Sequence, residues 1–181
     1  MVIVYTDRAL AGERPLATVA AGAVAGGAAR VVLREKDLPV DARGALASAL
    51  RQSIGDRLLV SDVDGAHRDG SGRVVGRACH SAAEVASVAD LEYVTVSPVY
   101  ASASKPGYGP PLGLSTLRDW CSGAAVPVLA LGGVDSPERA AACVRAGAAG
   151  VAVMGAVMTA ADPAAVVREL VEAVCANLRW P

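Results

Sequence analysis

The chain of 181 residues is long enough for one domain with a sizeable core, and its composition, 53% hydrophobic against 19% charged, describes a well-buried, alanine- and valine-rich protein. A net charge of −1 leaves no electrostatic footprint for nucleic acid. Mean hydropathy is positive, +0.40, yet no apolar run approaches the about 20 residues a spanning helix needs, so no membrane partner is expected. The four cysteines (Cys79, Cys121, Cys143 and Cys175) lie far apart with no C-x-x-C pair, so no zinc site is suggested and reduced thiols are expected. The first residues, MVIVYTDRAL, open on an apolar strand with no basic segment ahead of it, so no leader is expected and the setting reads as cytoplasmic.

In chain order, short β-branched runs alternate with alanine-rich stretches of helical spacing. Strands are expected at residues 2–6, 30–33 and 58–60, with helices at 16–28 and 41–54, the latter stopped by Gly55. The fourth unit is irregular. Residues 63–72, VDGAHRDGSG, are too few for a helix and a strand, so 64–67 reads as a stub strand, 68–72 as a turn, and His67 as solvated. The alternation then resumes, with strands at 74–78, 93–99, 126–131 and 151–154. Helices fall at 81–89, 115–122, 137–146 (Ser136 as N-cap) and 163–178.

Eight strands joined by helices imply parallel βα units. Of the two architectures that fit, an open doubly wound sheet and a closed barrel, the polar or glycine residues after most strands favour the barrel. The expected fold is therefore a single (β/α)8 TIM barrel over residues 1–181. It is compressed below the usual length by a shortened third/fourth βα unit.

Residues 102–110 carry Ser102, Ser104 and Lys105 in a proline- and glycine-rich run that can be neither helix nor central strand. Hydroxyls and an ammonium on a stiff loop at a strand's end suit an anion. Gly132 and Gly133 follow the seventh strand, and Met154 and Gly155 end the eighth. There a barrel commonly cradles phosphate on backbone N–H groups.

Four segments carry a resemblance: LREKD at 33–37, SKPGYGPPLGL at 104–114, LALGGV at 129–134 and AGAAGVAVMGAV at 146–157. In order and spacing they resemble the superfamily of thiamine phosphate synthase and its relative, the TenI-type thiazole tautomerase. For the synthase, the resemblance implies that a pyrimidine pyrophosphate ionises and a thiazole phosphate nitrogen captures the cation. Arg34, Lys36, Ser102, Ser104 and Lys105 match the anion-binding positions. The chain departs from that pattern at Val32, where the family has Gln, and at Ser61-Asp62, where it has Asn-Asp. The family's second magnesium-binding aspartate belongs to the shortened segment, where Asp64 or Asp69 could substitute although neither lies in a matching motif. Magnesium is thus implied only for a synthase, with Asp62 as its one matching ligand.

The stretch GRACHS at 76–81 is similar to a G-R-S-x-H-S stretch of the tautomerases and puts His80 at their proton shuttle. An imidazole with an ordinary pKa near 6.5 can accept and return a proton at neutral pH. Cys79 and His80 do not form a nucleophile pair, because adjacent strand residues face opposite ways.

The leading expectation is a cofactor-free thiazole tautomerase, an isomerase, with His80 as general acid/base. Its phosphorylated thiazole would lie against Arg34, Lys36, Ser61, Ser102, Ser104, Lys105, Gly132, Gly133, Met154 and Gly155. The alternatives are a magnesium-using thiamine phosphate synthase and a non-catalytic barrel that binds thiazole phosphates. A homodimer is expected, with a partner covering the shortened side. Trp120 and Trp180 read as packing residues, Tyr108 as a cover over the ligand, and Glu35 as facing outward or paired with a neighbour.

Overall fold

The computed structural model describes residues 1–101 and 110–178. Ser102, Ser104, Lys105, Tyr108 and Trp180 lie outside the described residues.

Eight strands close a barrel in chain order. They are β1 (Val2–Tyr5), β2 (Arg30–Leu33), β3 (Leu58–Ser61), β4 (Ala66–Arg68), β5 (Val74–Cys79), β6 (Tyr93–Val96), β7 (Val128–Leu131) and β8 (Gly150–Val153). The seam is the parallel pair of β1 and β8, with Val2 beside Val151 and Val4 beside Val153. A strand such as β1, with four consecutive buried residues, has both faces covered. Ile3 and Tyr5 point into the barrel with Val32, Leu59, Tyr93, Leu129 and Ala152. Val2 and Val4 point outward into a second, larger layer beneath the helices.

Those helices are α1 (Arg8–Ala11), α2 (Leu16–Ala25), α3 (Val40–Ile54), α4 (Ala82–Ala86), α5 (Gly113–Gly123), α6 (Pro137–Arg145), α7 (Gly155–Met158) and α8 (Pro163–Asn177). Four of their starts, those of α1, α4, α6 and α8, are set by side chains that satisfy the first free N–H groups. Asp7 accepts from Leu10 N, Ser81 from Glu84 N, Ser136 from Arg139 N and Asp162 from Ala165 N. No described helix is long and apolar enough to cross a membrane.

The barrel departs from the expected all-parallel pattern at β4. This strand is antiparallel to both β3 and β5, with Ser61 opposite His67 and Ala66 opposite Arg77. The reason is length. A parallel crossover needs about a dozen residues or more, whereas an antiparallel return needs only a turn. Residues 62–65 and 69–73 supply two such turns. Asp64 Oδ1 accepts from Ala66 N (3.1 Å), and Asp69 Oδ1 accepts from Ser71 N (2.9 Å) and Arg73 N (3.1 Å). The β3–β4 turn lies at the C-terminal ends of the other strands and the β4–β5 turn at the opposite end. No helix lies between β3 and β5.

His67 corrects a second expectation. It is fully buried, at 0% exposure, and not solvated, because the one inward position of β4 falls on it. Beside it Gly76 leaves room for the Tyr93 ring, into which any Cβ at that position would project. A bulge between His67 and Arg68 restores the register before β5.

Candidate active site

A cavity of about 700 Å³ opens at the C-terminal ends of the parallel strands. Arg34 and Lys36 reach it from the segment after β2. The buried Glu35 between them points the other way and anchors that segment, so its expected pairing with a neighbour is found. Its Oε1 accepts from Thr6 Oγ1 (2.8 Å) and Arg8 N (3.1 Å), and its Oε2 pairs with Arg8 Nη1 at 3.0 Å. Thr6 Oγ1 accepts in turn from Arg34 N at 3.1 Å. The same Arg8 guanidinium holds the Asp37 carboxyl below its ordinary range. Lys36 Nζ donates to Val63 O at 3.3 Å, and burial, then the neighbouring Arg34 charge, pulls the ammonium's pKa down. Two cations thus converge beside a loop braced by a buried carboxylate.

Across the cavity, Gly132 and Gly133 both have positive φ, 95° and 64°. A Cβ at Gly133 would lie 2.5 Å from Ala101 O and 2.7 Å from Tyr100 Cβ, so only glycine fits this turn. Arg139 pins it from behind. Its Nη1 donates to Gly133 O (2.8 Å) and to Asp135, and its guanidinium stacks on Tyr100 at 5.0 Å. Met154 and Gly155 complete this side, where β8 passes into α7.

The structure therefore brings Arg34, Lys36, Ser61, His80, Gly132, Gly133, Met154 and Gly155 to one cavity. Asp62 is not with them. Its carboxylate is paired with Arg68, on the outward side of the β3–β4 turn. Asp64 lines the mouth instead, its Oδ1 taken by Ala66 N. Among the described residues no group of three or more His, Cys, Asp or Glu could hold a metal ion. The residues present do not fit a preformed magnesium site. A guanidinium occupies the carboxylate the sequence offered, and the one carboxylate that the shortened unit brings to the mouth, Asp64, is half engaged by Ala66 N and belongs to no such group.

Reasoning from sequence missed Tyr5 and His67 as cavity residues, and of the two substitute carboxylates it offered, Asp64 lines the cavity and Asp69 does not. Period-two alternation through residues 66–68 was the available signal for His67, and the polar neighbours Arg68 and Asp69 masked it. Burial, and secondarily the Lys36 charge, lowers the His67 pKa to about 4, so this imidazole is neutral near pH 7. Burial likewise raises the Tyr5 and Tyr93 phenols above their ordinary range.

Fold and cavity together define a βα-barrel with two cationic side chains at its mouth. A family model described as thiamine monophosphate synthase matches residues 60–157, more than half of the chain. A putative thiamine-phosphate synthase of Geobacter sulfurreducens is 40% identical over 190 residues, covering 87% of this chain and 86% of the relative. The thiamine-phosphate synthase of Roseiflexus castenholzii is 38% identical over 197 residues, covering 94% and 86%. A solved thiamine phosphate pyrophosphorylase from Pyrococcus furiosus superposes with a TM-score of 0.79 at 24% identity, covering 98% of this chain and 96% of that one. The chain belongs to the thiamine monophosphate synthase family, a family of enzymes.

These findings overturn the expected TenI-type tautomerase, since the relatives at up to 40% identity carry the synthase name. His80 stands exposed at the cavity rim, its backbone N bound by Glu84 Oε2 (2.7 Å), and among the described residues no hydrogen bond orients its ring.

Proposed function

We propose that this chain is a thiamine-phosphate synthase, a transferase that joins hydroxymethylpyrimidine pyrophosphate to a thiazole phosphate. The observation that carries the reading is the identity of up to 40%, over most of both chains, with relatives bearing that name. In the reaction the pyrimidine's exocyclic C–O bond breaks and pyrophosphate leaves with the electron pair. The thiazole nitrogen then donates its lone pair to the carbocation, giving thiamine phosphate.

Arg34 and Lys36 suit the departing pyrophosphate, whose charge grows as the bond breaks. Such positioned donors contribute most where charge develops. The Glu35–Arg8–Thr6 network keeps the two cations aimed without a conformational search. The turn at Gly132–Gly133 and the backbone at Met154–Gly155 suit the thiazole's phosphate. The anion-binding expectation for Ser102, Ser104 and Lys105 lies outside the described residues.

The test is release of pyrophosphate from the two substrates together, measured with magnesium and again with EDTA. Release that requires both substrates and yields thiamine phosphate supports the reading. Absence of product under both conditions overturns it.

A further inference from the structure

The floor of the cavity holds a polar chain that the proposed anion chemistry does not use. His67 Nδ1 lies 2.9 Å from Tyr93 Oη and Nε2 lies 2.9 Å from Tyr5 Oη, which is also 3.4 Å from Thr95 Oγ1. The Tyr5 and His67 rings meet edge-on, with centroids 5.5 Å apart and planes at 75°. All four residues are at most 3% exposed, and of the four only Tyr5 and His67 line the cavity.

Counting hydrogens fixes the direction of this chain. A neutral imidazole donates from one nitrogen and accepts at the other. If Nδ1 carried the proton, Tyr93 Oη would accept it, and the Tyr93 hydroxyl hydrogen would be left buried without an acceptor. Such a stranded donor costs roughly 1–3 kcal/mol. If Nε2 carries the proton, Tyr93 O–H donates to Nδ1 and Nε2–H donates to Tyr5 Oη. The Tyr5–Thr95 contact is long, at 3.4 Å, and either hydroxyl can donate; with Thr95 O–H donating, it takes the second lone pair of Tyr5 Oη. Every donor is then satisfied except the Tyr5 hydroxyl hydrogen, and Tyr5 is the hydroxyl that borders the cavity.

From this we infer that Tyr5 is a specificity residue whose hydroxyl donates from the cavity floor to an acceptor atom of the ligand, with His67 as the positioning residue that fixes its direction. The inference rests on the synthase reading for the identity of that ligand. Of the two substrates, the pyrimidine fits. Its ring nitrogens are free acceptors, whereas the thiazole nitrogen must keep its lone pair for the new bond. A heterocycle presenting an N–H at that place would meet two donors face to face and be rejected.

The direction is read without substrate. The chain has two histidines, so His80→Asn leaves His67 as the only imidazole in a ¹⁵N-histidine spectrum. The expected signature is a protonated Nε2 and a bare Nδ1, unchanged between about pH 6 and 8. A protonated Nδ1 overturns the inference. The donor is read by calorimetry with unphosphorylated hydroxymethylpyrimidine, a neutral probe that bypasses the cations. Tyr5→Phe is expected to weaken it about tenfold, as for loss of one well-placed hydrogen bond. Thiazole phosphate binding should change little, while the unfolding midpoint falls, because the buried His67 Nε2–H loses its acceptor. Tyr93→Phe should release part of His67 into the other tautomer and weaken the pyrimidine by a smaller factor. Equal binding of the pyrimidine by parent and Tyr5→Phe overturns the inference whether or not the protein turns over. Absent turnover with these signatures intact overturns only the synthase reading.

Discussion

The two sides of this barrel reach the same end by different means. From β5 to β8 each strand returns to its neighbour through a connection carrying a helix, and all the pairs are parallel. From β3 to β5 the chain makes an antiparallel meander in 22 residues, Leu58 to Cys79, with no helix between. The parallel side has an aliphatic outer layer beneath α5, α6 and α8, with Leu117, Ala140 and Leu170 all buried. The meander turns inward a histidine hydrogen-bonded to two tyrosines. The comparison teaches that closing a barrel and covering it are separable. A reversed strand of three residues closes the circle, and its inward contact is then specific and polar.

The largest effect that sharpens this contrast lies at the mouth. Arg34→Ala is expected to lower kcat/KM by about 10²- to 10³-fold, as loss of a positioned donor to developing charge does, without lowering the unfolding midpoint. Retained turnover would detach the β2 loop from the chemistry. Next comes the meander's inward contact. His67→Leu should cost roughly 2–4 kcal/mol in urea unfolding, because it strands two buried hydroxyls. A cost below about 0.5 kcal/mol would mean that the meander is held by its turns alone.

Acid should act on the same residue. With its folded pKa near 4 and an ordinary value of 6.5, His67 takes up a proton more readily in the unfolded chain. Its contribution to stability is therefore complete above about pH 6.5 and is lost as pH falls toward 4, by about 3 kcal/mol over the full window. His67→Gln should flatten this slope between pH 7 and 5, and an unchanged slope would assign it to other groups. On the parallel side, Gly133→Ala forces a Cβ against Ala101 O in a left-handed backbone. A stability loss of about 1–3 kcal/mol and at least tenfold weaker thiazole phosphate binding are expected. The smallest effects belong to the rim and the outer wall. His80→Ala should change turnover less than about threefold, and Asp62→Asn, losing a part-exposed ion pair, should cost at most about 1 kcal/mol. A large loss at His80 would revive a proton-transfer role.

The parallel side was legible from sequence because each unit carries its own period and punctuation. Ser136 as cap, Pro137 opening α6 and Gly132-Gly133 after β7 fall where the sequence puts them. Arg34, Lys36, Ser61 and Gly155 could be placed at one mouth for the same reason, since residues just past parallel strands share a face. The direction of β4 could not be read. Three residues hold barely one period of alternation, and direction follows from the connection and not from the strand. Tyr5 escaped because both faces of β1 are buried, which erases the alternation that marks an inward residue. Asp62 misled because its motif position says nothing of Arg68, which reaches it only through the reversed strand.

The antiparallel meander also bears on how the barrel forms. Its pairings join residues close in sequence, such as Ser61 with His67, whereas the β1–β8 seam joins Val2 to Val151. Loop-closure entropy makes near pairings fast and distant ones slow. The two hairpins can therefore assemble before the seam, and the circle is completed last by its two ends. Folding rates should respond to substitutions at the β3–β4 and β4–β5 turns, and unfolding rates to substitutions at Val2 or Val151, a division that chevron analysis of such variants reads directly.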